Sequence, residues 1–534
     1  MHILMIAAEN DALPGGKVGG IGDVIRDLPP ALAHQGHRVS VITPGYQTLS
    51  RGKEAANQAT LKTEFRGKRE QVELYRVEAP RPHRNVVHWV LEHELFSAGG
   101  AGVIYHTHDR EPFATDANKF VLFCSAVCEA LANDLLGPVD VLHCHDWHAA
   151  PLLLLRRSMP RYRFLQELRA VYSIHNLSIQ GARPLTDHQS SLESWFPRLV
   201  VDTHPITDPI HTNCINWMRT GINLADKVHA VSPNYSREIL LPSEANRHFI
   251  GGEGLEADLQ HAEETGRLVG ILNGCDYSRV SDKPVGKSRL CRLIERSLVD
   301  WVGERCTISS AQFHALRRVT SWHQRRQMEN FSVTSVGRLT DQKCRLLYEQ
   351  LQGQSVLEHI LDQLNDGFFV MLGSGEARYE QFFTQIMVKR ENFLFLQGYS
   401  DKLAAALYSY GDLFLMPSSY EPCGISQMLA MRAGTPCLVH GVGGLADTVD
   451  DGVNGFVFRG DNLTQQTVNL IAAFRSAVKL KTDKPPRWRE MCRAANAMRF
   501  TWEQSAALLI DKLYTNPETA LPSGLQSRHA VSAS

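Results

Sequence analysis

Short apolar runs separated by amphipathic stretches recur along almost the whole chain. In the first half, runs at 3–8, 39–43, 86–91, 139–144 and 170–174 have the length and residue types of buried strands. The stretches at 22–34 and 118–131 read as helices, with Pro29-Pro30 predicting a break or restart in the first. In the second half, 332–336, 368–372, 393–396, 413–416 and 437–440 repeat the strand pattern, again with helical stretches between them. Strands alternating with helices predict a parallel sheet covered on both faces. The rhythm breaks once, at 281–330, which is basic and helix-prone (Arg289, Arg292, Arg296, Arg317, Arg318, Arg325, Arg326) and predicts a connector with helices. The chain therefore predicts two doubly wound α/β domains joined near 320–331, which places them at 1–325 and 326–499. No tandem repeat of solenoid period occurs. A tail at 515–534, rich in Ser, Pro and Ala, predicts poor order.

Composition narrows the function. A chain of 534 residues exceeds one ordinary core. A formal net charge of -1 at pH 7 gives no general attraction to nucleic acid or to an anionic membrane. No apolar run reaches the length of a membrane span. Met1-His2 leads directly into a strand without a basic leader, so a cytoplasmic location is expected. Eleven cysteines lack a disulfide-framework spacing; Cys124 and Cys128, one helical turn apart, predict a reduced pair on a buried helix face.

The candidate chemistry sits after strands. Segment 418–427, Ser-Ser-Tyr-Glu-Pro-Cys-Gly-Ile-Ser-Gln, follows the strand at 413–416 and opens a helix. A helix N-terminus favours an anion, while Glu421 is suited to hydroxyls, so a sugar joined to a diphosphate meets both demands. The plain alternative is a capped turn. After the first strand, Lys17 lies in a glycine-rich loop, 15–24, that matches neither the P-loop nor the G-x-G-x-x-G pattern. A flexible turn with a solvated lysine explains that loop equally well. His143, His145, Asp146 and His148 follow one strand, and His175-Asn176 the next. Residues at a strand end alternate in direction, so polar groups delivered to a ligand fit better than a metal site. In the second half Arg338 and Lys343 bracket a turn, a geometry suited to gripping a diphosphate. Gly373-Ser374-Gly375 offers close approach of a ligand to the backbone. Tyr399 offers a ring face, and Gly443-Gly444 a second turn rich in N–H groups. Candidates at the strand ends of both halves predict a cleft between facing domains.

Taken in order, these motifs resemble a known family. The Lys17 to Gly20 loop, His143 to His148, His175 to Leu177, Ala230 to Tyr235, Gly270 to Gly274, Arg338 to Lys343, Glu421 to Gln427 and Gly443 to Val449 are similar to the motifs of bacterial glycogen synthases and plant starch synthases, over residues 1–514. The resemblance implies the GT-B fold, two Rossmann-like domains facing a central cleft, with Phe500-Thr501-Trp502 opening a helix at 500–514 that crosses back onto the first domain. It implies transfer of glucose from ADP-glucose to an α-1,4-glucan with retention of configuration, without metal or cofactor and with no well-accepted enzymic nucleophile. Lys17 with the Gly19 and Gly20 amides would close over the donor phosphates, and Arg338 and Lys343 would bind the diphosphate. Glu421 would hold glucose hydroxyls beside Cys423 and Gly424, with Ser426 near a phosphate. Tyr399 would stack on the base, His175 would contact the donor glucose, and Asp146 would line the reaction centre. Asn176, Asn273, Gly443 and Gly444 complete the implied set. Leu429 stands where other GT-B families carry a second glutamate, and Cys344 where glycine often follows the lysine. The neighbouring readings are another GT-B transferase using UDP-glucose or a small acceptor, and a silent glucan-binding homologue.

Overall fold

The structure, a computed structural model, describes residues 1–51, 55–106, 111–280, 285–325, 330–364 and 366–515. Its first sheet has nine strands: β1 His2–Ile6, β2 Arg38–Pro44, β3 Ala55–Phe65, β4 Lys68–Val77, β5 Val86–Glu92, β6 Val141–His145, β7 Arg169–Ile174, β8 Lys227–Ala230 and β9 Leu268–Gly270. Their spatial order is β9-β8-β7-β6-β1-β2-β5-β4-β3. The strands from β9 to β5 run parallel, but β3, β4 and β5 are antiparallel neighbours, so the sheet is not parallel throughout. Leu61, Thr63 and Phe65 on β3 are buried at alternate positions, as are Val72 and Leu74 on β4. Arg66 and Gly67, both with positive φ, make the two-residue turn that such a twisted hairpin requires.

The second sheet has six strands: β10 Ser332–Val336, β11 Phe368–Gly373, β12 Phe393–Gln397, β13 Leu413–Met416, β14 Cys437–His440 and β15 Gly455–Phe458. All are parallel, in the order β12-β11-β10-β13-β14-β15. Counted from β10 this is the 3-2-1-4-5-6 order of a dinucleotide-binding fold, whose ligand crevice opens between the ends of strands one and four.

Two readings of the sequence need correction. The helix Gly20–His34 runs unbroken through Pro29 and Pro30. An interior proline costs about 3 kcal/mol. Ile21, Val24, Ile25, Leu28 and Leu32 are buried against the sheet, and each such side chain contributes about 1.5–3 kcal/mol. Packing therefore outweighs the lost backbone bonds. The second correction concerns the boundary near 325. Helices Lys287–Arg305 and Ser310–Gln324 lie on the second domain, against β12 and the helices Ala377–Lys389 and Asp401–Tyr410. Their apolar residues, among them Leu290, Ile294, Trp301, Ala315, Val319 and Trp322, recur at helical spacing. Trp322 stacks on Phe368 with centroids 4.3 Å apart. The stretch is thus part of the second core rather than a connector; its Arg326 lies outside the described residues, as do 516–534 of the expected tail.

Two chain crossings lie side by side. Near 271–277 the chain leaves the first domain. Near 498–502 it returns, where the Cys275 N–H donates to the Phe500 carbonyl (2.8 Å) and the Phe500 N–H to the Tyr277 hydroxyl (2.9 Å). The returning helix Trp502–Leu509, opened by a capping box at Thr501 and Gln504, and the turn Ile510–Tyr514 bury Trp502, Leu509, Leu513 and Tyr514 against Ile3, Met5 and Ile25.

Candidate active site

Between the ends of β10 and β13 the second domain builds an acid–base pair. The loop after β10 leads into the helix Asp341–Tyr348, and the loop after β13 carries Ser418 to Glu421. Gln342 laces them together: its side chain donates to the Tyr420 carbonyl (2.5 Å), and its own carbonyl accepts the Ser419 N–H (2.8 Å). One residue on, Lys343 Nζ lies 2.7 Å from Glu421 Oε2, with the carboxylate side chain only 9 % exposed. Arg338 is exposed, and its guanidinium has no partner among the described residues. Gly373 and Gly375 admit this loop rather than a ligand: a Cβ would stand 2.1 Å from the Gly337 carbonyl oxygen and 2.3 Å from that of Leu339.

The turn at Gly443-Gly444 is not a free amide cradle. Gly443 N–H donates to both carboxylate oxygens of Glu238 (2.9 and 3.0 Å), and Gly444 N–H to the Glu421 carbonyl (3.0 Å). Gly443 has φ +44°, and a Cβ there would lie 1.9 Å from the Glu421 carbonyl oxygen. These glycines hold the backbone of Glu421, and Glu238, 205 residues away, takes the N–H group that sequence reasoning left for a substrate. Gly424 lies in the turn before the helix Ser426–Arg432 and accepts from the Gln427 side chain (3.0 Å). Cys423 is buried, and Ser426 Oγ shares a hydrogen bond with the Tyr408 hydroxyl (3.1 Å). The Tyr399 hydroxyl donates to Asp401 (2.9 Å), and Tyr399 remains 57 % exposed, so its ring can still receive a flat group.

In the first domain the chain's direction along the sheet reverses between β1 and β6, and the polar groups collect there. Asp146, just past β6, is buried with φ 54°. Its Oδ1 accepts the His175 N–H from the end of β7 (2.7 Å). Burial raises its pKa to about 7, against the pull of the His175 and Asn176 backbone N–H groups, and nearby Glu9 adds to the rise. His145 Nδ1 and His175 Nε2 lie 2.9 Å apart, and burial lowers His175 to about 3. Asn176 turns aside, its Oδ1 accepting from the Ser178 N–H and hydroxyl.

His143 in β6 and His148 just after it have separate partners and do not converge. His148 packs on Phe120 and Trp147. His143 belongs to a buried chain whose polarity can be assigned. His229 Nε2 faces the Ile271 carbonyl (3.1 Å), which can only accept, so Nε2 carries the proton. The bare Nδ1 then accepts from Ser173 (2.8 Å), Ser173 accepts from His143 Nε2 (2.7 Å), and His143 Nδ1 accepts from Tyr514 (2.8 Å). Burial keeps His143 and His229 neutral by lowering their pKa.

The glycine-rich loop is already occupied in part. Glu9, at the end of β1, accepts the Gly19 N–H (2.6 Å), so that amide is not open to a phosphate as expected. Gly20 is exposed as the first residue of its helix. Lys17 pairs with Asp23 (2.7 Å) and Asp11 (3.7 Å) of its own domain.

The two halves meet. Ser232 donates to the Pro422 carbonyl (2.7 Å), the Tyr235 and Tyr420 hydroxyls share a bond (2.6 Å), and Asn234 N–H donates to Asp447 (2.8 Å). The backbone of Asn273 lies against the Cys423 thiol, and the Tyr399 phenol, whose pKa is raised by burial and by Asp401, is near enough to Asp23 for that carboxylate to add to the rise. Glu9 and Glu238 were missed from the sequence as site residues, while His145 and Tyr235 stood only within their motifs. Glu9 alone left a signal, as a carboxylate ending a strand before a glycine-rich loop.

Family profiles match this division. The starch synthase catalytic domain profile covers residues 2–261 and the glycosyl transferases group 1 profile residues 321–487. Glycogen synthase of Moorella thermoacetica is 31 % identical over 95 % of this chain and 95 % of its own. That of Exiguobacterium sibiricum is 32 % identical over 93 % and 96 %. The catalytic domain of starch synthase IV from Arabidopsis thaliana, solved bound to ADP and acarbose, has a similar fold: TM-score 0.72, 24 % identity, 96 % of this chain and 98 % of that one. The architecture is therefore GT-B. Matched along more than nine-tenths of its length by relatives above 30 % identity, the chain belongs to the glycogen synthase and starch synthase family of glycosyltransferases.

Proposed function

We infer that this enzyme uses ADP-glucose and extends the non-reducing end of an α-1,4-glucan with retention of configuration. The observation that carries the reading is the Lys343–Glu421 pair at the crevice of the second sheet, with Arg338 exposed on the same loop and without a partner among the described residues. A carboxylate within reach of sugar hydroxyls and two cations within reach of a diphosphate match a nucleotide sugar. The choice of adenine rests on the Arabidopsis starch synthase, which was solved with ADP.

As the bond from glucose to the diphosphate breaks, negative charge grows on the leaving phosphate. Arg338 and Lys343 would stabilise that charge, and a fixed donor of this kind contributes about 10²–10³-fold in rate. Glu421, held by Gly444 through its own carbonyl, would orient the glucose as it gains positive character. Tyr399 would pack on the base. His175 and Asp146 would face the transferred sugar from the other domain, and Lys17 would leave its aspartates for the phosphates. Three cations supply the charge that this step needs, so the reading requires no metal and no cofactor.

Purified protein incubated with glycogen and either ADP-glucose or UDP-glucose in chelator should release nucleotide faster from ADP-glucose and lengthen the glucan. A preference for UDP-glucose would overturn the donor assignment. Absence of elongation with both, restored by a divalent cation, would overturn the metal-free reading.

A further inference from the structure

Glu9 is 2 % exposed at the end of β1. Its Oε2 accepts the backbone N–H groups of Val18 (2.9 Å), Gly19 (2.6 Å) and Gly22 (3.3 Å), and its Oε1 accepts the Tyr105 hydroxyl (2.8 Å). The loop that carries Lys17 is wrapped on this one carboxylate. Its glycines are fixed by the same contact. A Cβ at Gly19 would lie 3.1 Å from Glu9 Oε1, and one at Gly22 would lie 3.1 Å from Oε2 and 3.0 Å from Lys17 Cγ. The Lys17 stem therefore lies flat across Gly22, and the root from which its ammonium reaches out, here to Asp23 and Asp11, is set by the loop's hold on Glu9. Both oxygens are used inside the protein, which leaves the side chain no obvious acceptor role toward a substrate.

We propose that Glu9 is a positioning residue for donor binding, which holds the loop from Lys17 to Gly22 in the shape that aims Lys17 at the diphosphate. The part concerning Lys17 rests on the function proposed above; the part concerning the loop does not. Loss of the carboxylate frees three amides and lets the loop, and the cation on it, move. A displacement of about 1 Å at a reacting centre costs roughly 10²-fold in rate.

Positioning differs from a direct electrostatic role in its response to glutamine. Glutamine keeps the shape: its carbonyl can accept the three amides while its NH₂ group donates to the Tyr105 oxygen. Glu9→Gln should thus stay within about 5-fold of the parent. Glu9→Ala should lose roughly 10²-fold in kcat/KM for the nucleotide sugar, with the KM for glycogen unmoved. Gly19→Ala, which pushes on the same contact from the loop side, should behave like Glu9→Ala and serves if that variant does not fold. Amide hydrogen exchange at Val18, Gly19 and Gly22, read on the full-length protein, should lose protection in Glu9→Ala and keep it in Glu9→Gln.

A Glu9→Gln enzyme as impaired as Glu9→Ala would show that the charge itself is needed and would overturn the proposal. So would unchanged exchange in Glu9→Ala. The double variant Glu9→Ala/Lys17→Ala should be no slower than Lys17→Ala. If exchange is lost as expected but Lys17→Ala turns over normally, it is the reading of Lys17 that fails, and Glu9 still holds the loop.

Discussion

Replacing Lys343 by methionine tests the site through two effects that have different partners. The ammonium lies 2.7 Å from Glu421 Oε2, with side-chain exposures of 21 % and 9 %. Its loss strands a carboxylate that is almost wholly buried. Deleting one member of a buried pair costs about 3–5 kcal/mol, whereas an exposed pair is worth less than about 1 kcal/mol. The partial exposure of the lysine puts this case between them, at about 2 kcal/mol. For a domain of roughly 200 residues that lowers Tm by about 4–8 °C. The second effect falls on the donor: removal of a cation facing the leaving phosphate should reduce kcat about 10²-fold, or about 2.7 kcal/mol. Adding Glu421→Gln to Lys343→Met removes the stranded charge, so stability should return to within about 1 kcal/mol of the parent. Turnover should not return, because the phosphate still lacks its cation and the sugar now lacks its carboxylate. Calorimetry and initial rates of nucleotide release read the two effects separately. Turnover of Lys343→Met within about 3-fold of the parent would refute the role at the leaving group; a double variant no more stable than Lys343→Met would refute the energetic reading of the pair.

Asp146 has a pKa near 7 in the fold against 3.8 ordinarily, so the fold keeps a proton that the unfolded chain releases. Its contribution is complete below about pH 4 and is lost as pH rises through 7; Asp146→Asn should gain stability over the parent at pH 8 relative to pH 5 in urea titrations, while activity falls. Five histidines, His88, His148, His175, His229 and His440, lowered by desolvation to about 3–4, act with the opposite sign. Their stability is present above pH 6.5 and is lost as pH falls toward 4, by up to about 1.4 kcal/mol per pH unit for each, so the urea midpoint should drop steeply between pH 6.5 and 5. Gly443→Ala places a Cβ against the Glu421 carbonyl; kcat should fall at least 10-fold and Tm should drop, and a variant with normal turnover would show that this contact does not hold Glu421. Tyr514→Phe leaves His143 Nδ1 without a donor and should cost about 1–3 kcal/mol, read by calorimetry.

The doubly wound class was legible because buried parallel strands need continuous apolar runs, and such runs stand out at 332–336 or 393–396. The β3–β4 hairpin was harder to see, since only Leu61 to Phe65 and Val72 to Leu74 alternate, around an inconspicuous Arg-Gly turn. Helices at 287–305 and 310–324 looked like a connector because charge dominates their composition, while their narrow apolar stripes show only once the second sheet is present to receive them. In the site, strand-end positions could be named because the fold puts ligands there. What each group binds in the folded chain could not. Glu238 reaches Gly443, and Glu9 takes the amide of Gly19, through geometry with no local pattern. Lys343 and Glu421, 78 residues apart, meet for the same reason.

The return of the chain onto the first domain has a consequence for how the protein is made. That domain's sheet is complete at Gly270, yet Trp502, Leu509, Leu513 and Tyr514 belong to its core. At about 5–20 residues per second, those side chains are synthesised roughly 10–50 s after the sheet. Until they arrive, the strip of the helix Gly20–His34 and β1 that they cover stays open, and His143 waits for the Tyr514 hydroxyl. The nascent first domain is therefore a sticky, unfinished body throughout translation of the second, which is the interval in which a holdase would bind it. A chain stopped before Trp502 would carry every catalytic candidate and leave that groove permanently uncovered.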